Sequence, residues 1–153
     1  MTINFEGKVA IVTGAGGGLG RCHALDLATR GAKVGVNDVG GHVDGSDDGS
    51  LSAAEKVVEE ITAAGGEAMA NGASVTDVSQ VEEMVKETMD KWGRIDILVN
   101  NAGILRDKSF AKVSDEDFRL VLEVHLMGSV HCCKAVWAIM KEQNYGRIVV
   151  TSS

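Results

Sequence analysis

The chain has 153 residues, 44% of them apolar, and carries 15 Lys and Arg against 22 Asp and Glu, a formal charge of −7. That size and composition suit one globular domain, and the acidic charge, spread through DGSDDGS, EKVVEE and SDEDF without a basic patch, excludes a surface that follows nucleic-acid phosphates. No stretch holds the ~18 consecutive apolar residues of a membrane span, and MTINFEGK lacks the order of a signal peptide, so a cytoplasmic protein is expected.

In chain order, KVAIVTG is a short β-branched run closed by glycine, the pattern of a strand buried on both faces. LGRCHALDLATRG sets Leu19, His23 and Leu27 at helical spacing and ends at Gly31, a C-terminal cap. AKVGVND reads as a second strand. After a glycine-rich acidic connection, SLSAAEKVVEEITAAGG places Leu51, Ala54, Val58 and Ile61 on one helix face. EAMAN is a weak third strand. The next helix carries Val78, Val81, Val85, Met89 and Trp92 at intervals of three and four, and RIDILVNNAG is the strongest strand of the chain. Ser114 and Asp117 fit a capping pair for one long helix through about Gln143, and GRIVVTSS is a fifth strand.

Strands alternating with helices of this length need crossover connections. The expected fold is therefore α/β, a Rossmann-like doubly wound parallel sheet in the order 3-2-1-4-5. There is no proline and no internal boundary. Residues 1–153 are expected to be the N-terminal, cofactor-binding part of one larger domain.

The chemistry starts between the first strand and the first helix, at TGAGGGLG. Glycines there let the backbone turn sharply and approach a ligand, while the free N–H groups and positive end of the helix attract a diphosphate. Gly14, Gly18, Leu19 and Gly20 are the candidate contacts. Asp38 ends the second strand, where a carboxylate accepts hydrogen bonds from an adenosine ribose and repels a 2′-phosphate. Gly17 offers no basic side chain to offset that repulsion. Both features point to NAD.

Three cysteines, Cys22, Cys132 and Cys133, the last two adjacent, do not form a disulfide framework and fit a reducing compartment. Cys22 reads as a small packing residue behind the glycine turn. His125, His131, Cys132 and Cys133 do not read as a metal site, because adjacent helical positions point about 100° apart. Arg106, Asp107 and Lys108 read as a charged, solvated loop.

T-G-x-x-x-G-x-G at Thr13 to Gly20, NNAG at Asn100 to Gly103 and a strand ending in SS together resemble the short-chain dehydrogenase/reductase family, in family order and spacing. The resemblance implies that Asn101, Ala102 and Gly103 pass beside the cofactor ribose, and that Asn100 and Asn101 knit the central strands. It also implies that Ser153 hydrogen-bonds the substrate oxygen, beside a catalytic Tyr and a Lys four residues later. Tyr145, the only tyrosine, precedes the serine and has Val149 where the lysine belongs, so that pair is expected beyond the last residue.

Two departures refine the resemblance. His125 stands where most members carry a catalytic asparagine, and Ser74 followed by Val75 stands at the usual adenine-binding aspartate. With NDVGG and NNAGILRDKSF, these resemble the (3R)-hydroxyacyl-CoA dehydrogenase units of multifunctional β-oxidation enzymes. The likeness implies NAD-linked oxidation of a 3-hydroxyacyl-CoA to the 3-oxo thioester, with an acyl-CoA thioester, or another secondary alcohol or ketone, as the small-molecule substrate. His125 then either supports a water or the active-site lysine, or is a packed histidine satisfied by backbone. A homodimer or homotetramer built on a face containing Val121, Val124, Leu126 and Gly128, and a peroxisomal address at a C-terminus outside the chain, are further implications. The alternatives are a 3-oxoacyl-carrier-protein reductase and a non-catalytic nucleotide-binding module.

Overall fold

The computed structural model describes residues 3–40 and 52–152. Strands β1 (Val9–Thr13), β2 (Lys33–Asn37), β3 (Ala68–Asn71), β4 (Ile97–Asn100) and β5 (Arg147–Val150) form one sheet in the order β3-β2-β1-β4-β5, with every pairing parallel. The expected architecture and strand order are those observed. Helices α1 (Gly18–Thr29) and α2 (Ser52–Ala63) join the first three strands, and α3 (Val78–Trp92) crosses back to β4. From β4 the chain reaches β5 through α4 (Asp115–Leu122), a π-helical turn at Glu123–Met127 and α5 (Gly128–Glu142).

Because side chains alternate across a strand, the central strands feed two cores. Ala10, Val12, Val34, Val36, Ile97 and Val99 pack on Ala24 of α1 and on Ala54, Val57 and Ile61 of α2. Ile11 and Leu98 point to the other face, against Val81, Met84 and Val85 of α3 and Cys132, Val136 and Met140 of α5. This is why β1 is buried throughout rather than alternating.

At the N-terminal edge the sheet is tied by Asp96, whose side chain is fully buried. It accepts from Val9 N–H at 3.0 Å and from two Arg94 nitrogens at 2.7 Å, with Lys8 Nζ 3.5 Å away. Burial alone would raise its pKa, but the hydrogen bonds from Arg94 and Val9 and the charges of Arg94 and Lys8 hold the carboxyl below its ordinary value.

Several expectations from the residue pattern need correction. On α1 the inward positions are Gly20 and Ala24, while Leu19 and His23 are exposed. Cys22 is exposed too and packs behind nothing, since Gly20 occupies that place. On α3, Val78 is exposed and Met84 and Thr88 complete the buried stripe. The single long helix after Ser114 is interrupted by the π-turn, which no residue pattern announces. Ser114 does cap α4, accepting from Asp117 N–H at 3.1 Å, but the Asp117 carboxylate turns away from the cap to Lys108 and Arg106. Val121, Val124, Leu126 and Gly128 do not share a face: Gly128 is buried and Val124 packs on the core, whereas Leu126 is exposed, as are Phe118, Leu122, Met127, Val130 and Trp137. Leu51 lies outside the described residues.

Candidate cofactor-binding and active site

The loop after β1 uses its glycines in two ways. Gly14 and Gly20 are there for close approach: a Cβ on Gly20 would lie 2.1 Å from the Gly14 carbonyl oxygen, and one on Gly14 would lie 2.8 Å from Ala102 Cα. Gly14 and Gly18 also have positive φ, +62° and +51°, a region that favours glycine. Gly17 and Gly18 instead leave space, with no heavy atom within 4 Å of where a Cβ would stand. Gly17 is the N-cap of α1 and supplies no side-chain cap, and the first turn holds no acidic residue. The N–H groups of Gly18, Leu19 and Gly20 thus open the helix without an intrahelical partner, at its positive end.

Asp38 follows β2 directly and is turned onto this loop. Its Oδ2 accepts from Gly16 N–H at 2.8 Å and its Oδ1 from Gly40 N–H at 2.8 Å. Gly16 has to be glycine, because a Cβ there would meet Asp38 Cγ at 2.8 Å and Ala53 Cβ at 2.7 Å. The neighbouring Asn37, which no motif singles out, is 2% exposed and ties β2 to the loop after β3: its Nδ2 donates to Asn71 Oδ1 at 3.1 Å and to the Ala73 carbonyl at 2.8 Å.

Asn101 joins β1 to β4. Its Nδ2 donates to the carbonyls of Thr13 and Gly14, both at 3.1 Å, and Thr13 Oγ1 accepts from the N–H groups of Asn101 at 3.0 Å and Ala102 at 3.1 Å. Thr151 Oγ1, just past β5, donates to Asn101 Oδ1 at 3.4 Å. Asn100 does not share in this knitting through its side chain, which donates to Cys133 Sγ at 3.4 Å, and its buried Oδ1 has no partner among the described residues. The reason is the pleat: residue 100 points to the α5 face and residue 101 to the loop after β1.

Ser74 donates its N–H to Gln80 Oε1 at 3.0 Å and shares a 2.8 Å hydroxyl contact with Thr76. Val75 is buried. His125 sits on the π-turn with its Nε2 3.0 Å from both the N–H and the carbonyl oxygen of Ile104, so either ring tautomer finds a backbone partner. The contact needs Gly103, where a Cβ would lie 2.6 Å from His125 Cε1. Arg106 and Lys108 are not simply solvated; they reach Asp117 at 3.2 and 2.7 Å, and the Lys108 and Ser114 hydrogen bonds hold that carboxyl below its ordinary pKa. Ser153 lies outside the described residues. Tyr145 is at the N-terminal edge, its ring 3.9 Å from Lys8 Nζ and 4.7 Å from the Arg147 guanidinium, far from this set.

The described candidates therefore follow the C-terminal ends of parallel strands, apart from His125, which the π-turn brings against Ile104. The loops after β1 and β4 flank the point where strand order reverses, the place where open α/β sheets bind ligands. A match to the short chain dehydrogenase family covers residues 8–153. The chain belongs to the short chain dehydrogenase family.

Its relatives are longer proteins. It is 56% identical over 151 residues to peroxisomal multifunctional enzyme type 2 of Mus musculus, covering 99% of this chain and 20% of that protein. It is 55% identical over 153 residues to peroxisomal multifunctional enzyme A of Dictyostelium discoideum, covering all of this chain and 34% of that protein. A 3-oxoacyl-[acyl-carrier-protein] reductase of Synechocystis is 44% identical over 146 residues, 95% of this chain and 56% of the reductase. Among solved structures, a 7α-hydroxysteroid dehydrogenase complexed with NADH and 7-oxo glycochenodeoxycholic acid matches with a TM-score of 0.87 at 34% identity, over 98% of this chain and 55% of that one. The chain spans about half or less of the length of these relatives.

Proposed function

We propose that this chain is the cofactor-holding part of an NAD-dependent dehydrogenase that oxidises 3-hydroxyacyl-CoA thioesters. The observation that carries the reading is the Asp38 carboxylate, fixed against Gly16 N–H at the mouth of the glycine loop, opposite a Gly17 with no side chain. An anion in that place favours a ribose diol and disfavours a 2′-phosphate. The likeness to the peroxisomal multifunctional enzymes supports the acyl-CoA substrate.

The bound dinucleotide would supply the hydride acceptor. The N–H groups of Gly18, Leu19 and Gly20 bind its diphosphate, Asp38 accepts from the adenosine ribose, Ser74 and Val75 wall the adenine, and Asn101, Ala102 and Gly103 run beside the second ribose. His125 fixes the backbone at Ile104, holding the loop that leads to the substrate. Ser153 orients the substrate oxygen, and the proton acceptor, a Tyr with its Lys, belongs to a remaining part of the same domain. The exposed Phe118, Leu122, Leu126, Val130 and Trp137 suit a homodimer or homotetramer. A peroxisomal location is proposed on the relatives alone.

The test uses the full-length protein with (3R)-hydroxyacyl-CoA: NAD should be reduced and NADP scarcely used, and Gly17→Arg combined with Asp38→Ser should reverse that preference. A wild-type preference for NADP would overturn the reading. The 44% identity to the carrier-protein reductase supports a second reading, in which the natural thioester is on a carrier protein. Turnover confined to carrier-protein thioesters with NADPH would decide for it.

A further inference from the structure

We propose that His131, to which neither the family pattern nor the proposed function gives a role, is a positioning residue for the adenosine half of the cofactor, acting through the backbone carbonyl of Val75. The inference rests on the dinucleotide reading of the site and adds a residue to it.

The loop after β3 is held from two layers. From the sheet side, Asn37 Nδ2 donates to the Ala73 carbonyl at 2.8 Å and Asn71 Oδ1 accepts from Ala73 N–H at 2.9 Å. From the helix side, Gln80 of α3 takes Ser74 N–H, and α5 contributes His131, whose Nδ1 stands 2.9 Å from the Val75 carbonyl oxygen, 56 residues away in sequence. A carbonyl only accepts, so Nδ1 carries the proton. One turn earlier on α5, Gly128 presses on the same residue: a Cβ there would lie 2.6 Å from Val75 Cγ2. The helix that presents this Gly–His pair is itself immobilised by Cys132 and Val136, 1% and 0% exposed.

The carbonyl matters because of what the loop lacks. Ser74 provides no charge, its N–H is taken by Gln80 and its hydroxyl is shared with Thr76. The grip on an adenine must then come from where the backbone and the Val75 side chain are placed, and the Val75 peptide is oriented by His131. Removing the imidazole leaves a largely buried carbonyl unpaired and frees that peptide to rotate.

The experiment measures Kd by calorimetry for NAD, ADP-ribose and nicotinamide mononucleotide, on the full-length protein and its His131→Leu and His131→Asn variants. In His131→Leu, Kd for ADP-ribose and NAD should each rise about tenfold, with nicotinamide mononucleotide unchanged and kcat within about twofold. His131→Asn, whose amide nitrogen can occupy the Nδ1 position, should restore most of the loss. Amide hydrogen exchange supplies a second readout that tolerates a weaker fold: the 74–76 amides should exchange faster in His131→Leu, with α3 and β4 unchanged. Equal ADP-ribose affinity in wild type and His131→Leu, or equal losses for ADP-ribose and nicotinamide mononucleotide, would overturn the positioning role while leaving the dinucleotide reading intact. Absence of ADP-ribose and NAD binding in the wild-type protein would remove both.

Discussion

Two kinds of helix start lie along the same edge of the sheet. At the head of α3, Asp77 accepts from the N–H groups of Ser79 at 2.9 Å and Gln80 at 3.2 Å, and at the head of α4 Ser114 caps a first turn containing Asp115, Glu116 and Asp117. At the head of α1 there is no side-chain cap, no acid and open space in front of Gly17 and Gly18. A cap is ordinarily worth about 1 kcal/mol. The chain forgoes that stabilisation at α1, where the proposed function gives the unpaired N–H groups a diphosphate to bind, and satisfies the same groups internally at α3 and α4. On that proposal, the difference separates a helix end that closes a structure from one that receives a ligand.

Gly20→Ala is the most severe way to break the comparison. The added methyl would lie on the Gly14 carbonyl, with Asn101 Nδ2 only 2.5 Å away, so the loop has to move. We expect a loss of about 3 kcal/mol in thermal or denaturant unfolding, and NAD affinity below detection. Gly17→Asp converts the open start into a closed one. Its extended backbone, φ −161°, accepts any residue, and the new carboxylate would cap α1 as Asp77 caps α3. The variant should melt higher than wild type yet bind NAD at least tenfold more weakly, because the anion meets the diphosphate. A variant that melts higher and binds as well would show that this helix start is not where the diphosphate sits.

Asp77→Ala is the converse, a capped start opened away from the diphosphate, where Asp77 Oδ2 also accepts from the Gln80 side chain that holds Ser74 N–H. Tm should fall by about 3 °C at neutral pH, with NAD affinity lowered less than in Gly17→Asp. The Ser79 side chain and the Gln80 backbone N–H, the largest influences, hold the Asp77 pKa below its ordinary value. Its stabilisation is therefore complete above the unfolded value of about 4 and disappears as pH falls through the lower folded value. Melting curves of wild type and Asp77→Ala should draw together as pH falls below the ordinary carboxylate range. The smallest effect concerns thiols. Burial, with the neighbouring Cys133 second, pushes the Cys132 thiol up to about 12, so a maleimide at pH 8 should label exposed Cys22 within minutes and leave Cys132 unmodified.

The features legible in the residues obey local rules. β-Branched runs closed by glycine mark the strands, Gly14, Gly18 and Gly20 mark the loop, and Asp38 stands at the end of a strand at a spacing that chemistry demands. The features that are not legible depend on partners distant in the chain. Nothing near His131 signals that it will meet Val75, nor does NDVGG reveal that Asn37 will cross to Ala73. Cys22 is misplaced by its spacing alone, which does not say which of Gly20, Cys22 and Ala24 faces the sheet; the close packing of Gly20 on Gly14 settles it. The π-turn has no compositional signature in EVHLM.

That turn has a consequence for helical phase. A π-turn is in effect one residue added to an α-helix, and each residue advances the angular position by about 100°. Deleting a single position between Glu123 and Met127 would leave a regular helix but swing everything after it by over a quarter of a revolution. Val136 and Met140 would leave the core, Trp137 would rotate toward it, and a change that shortens the protein by one amino acid would act like a dozen simultaneous substitutions.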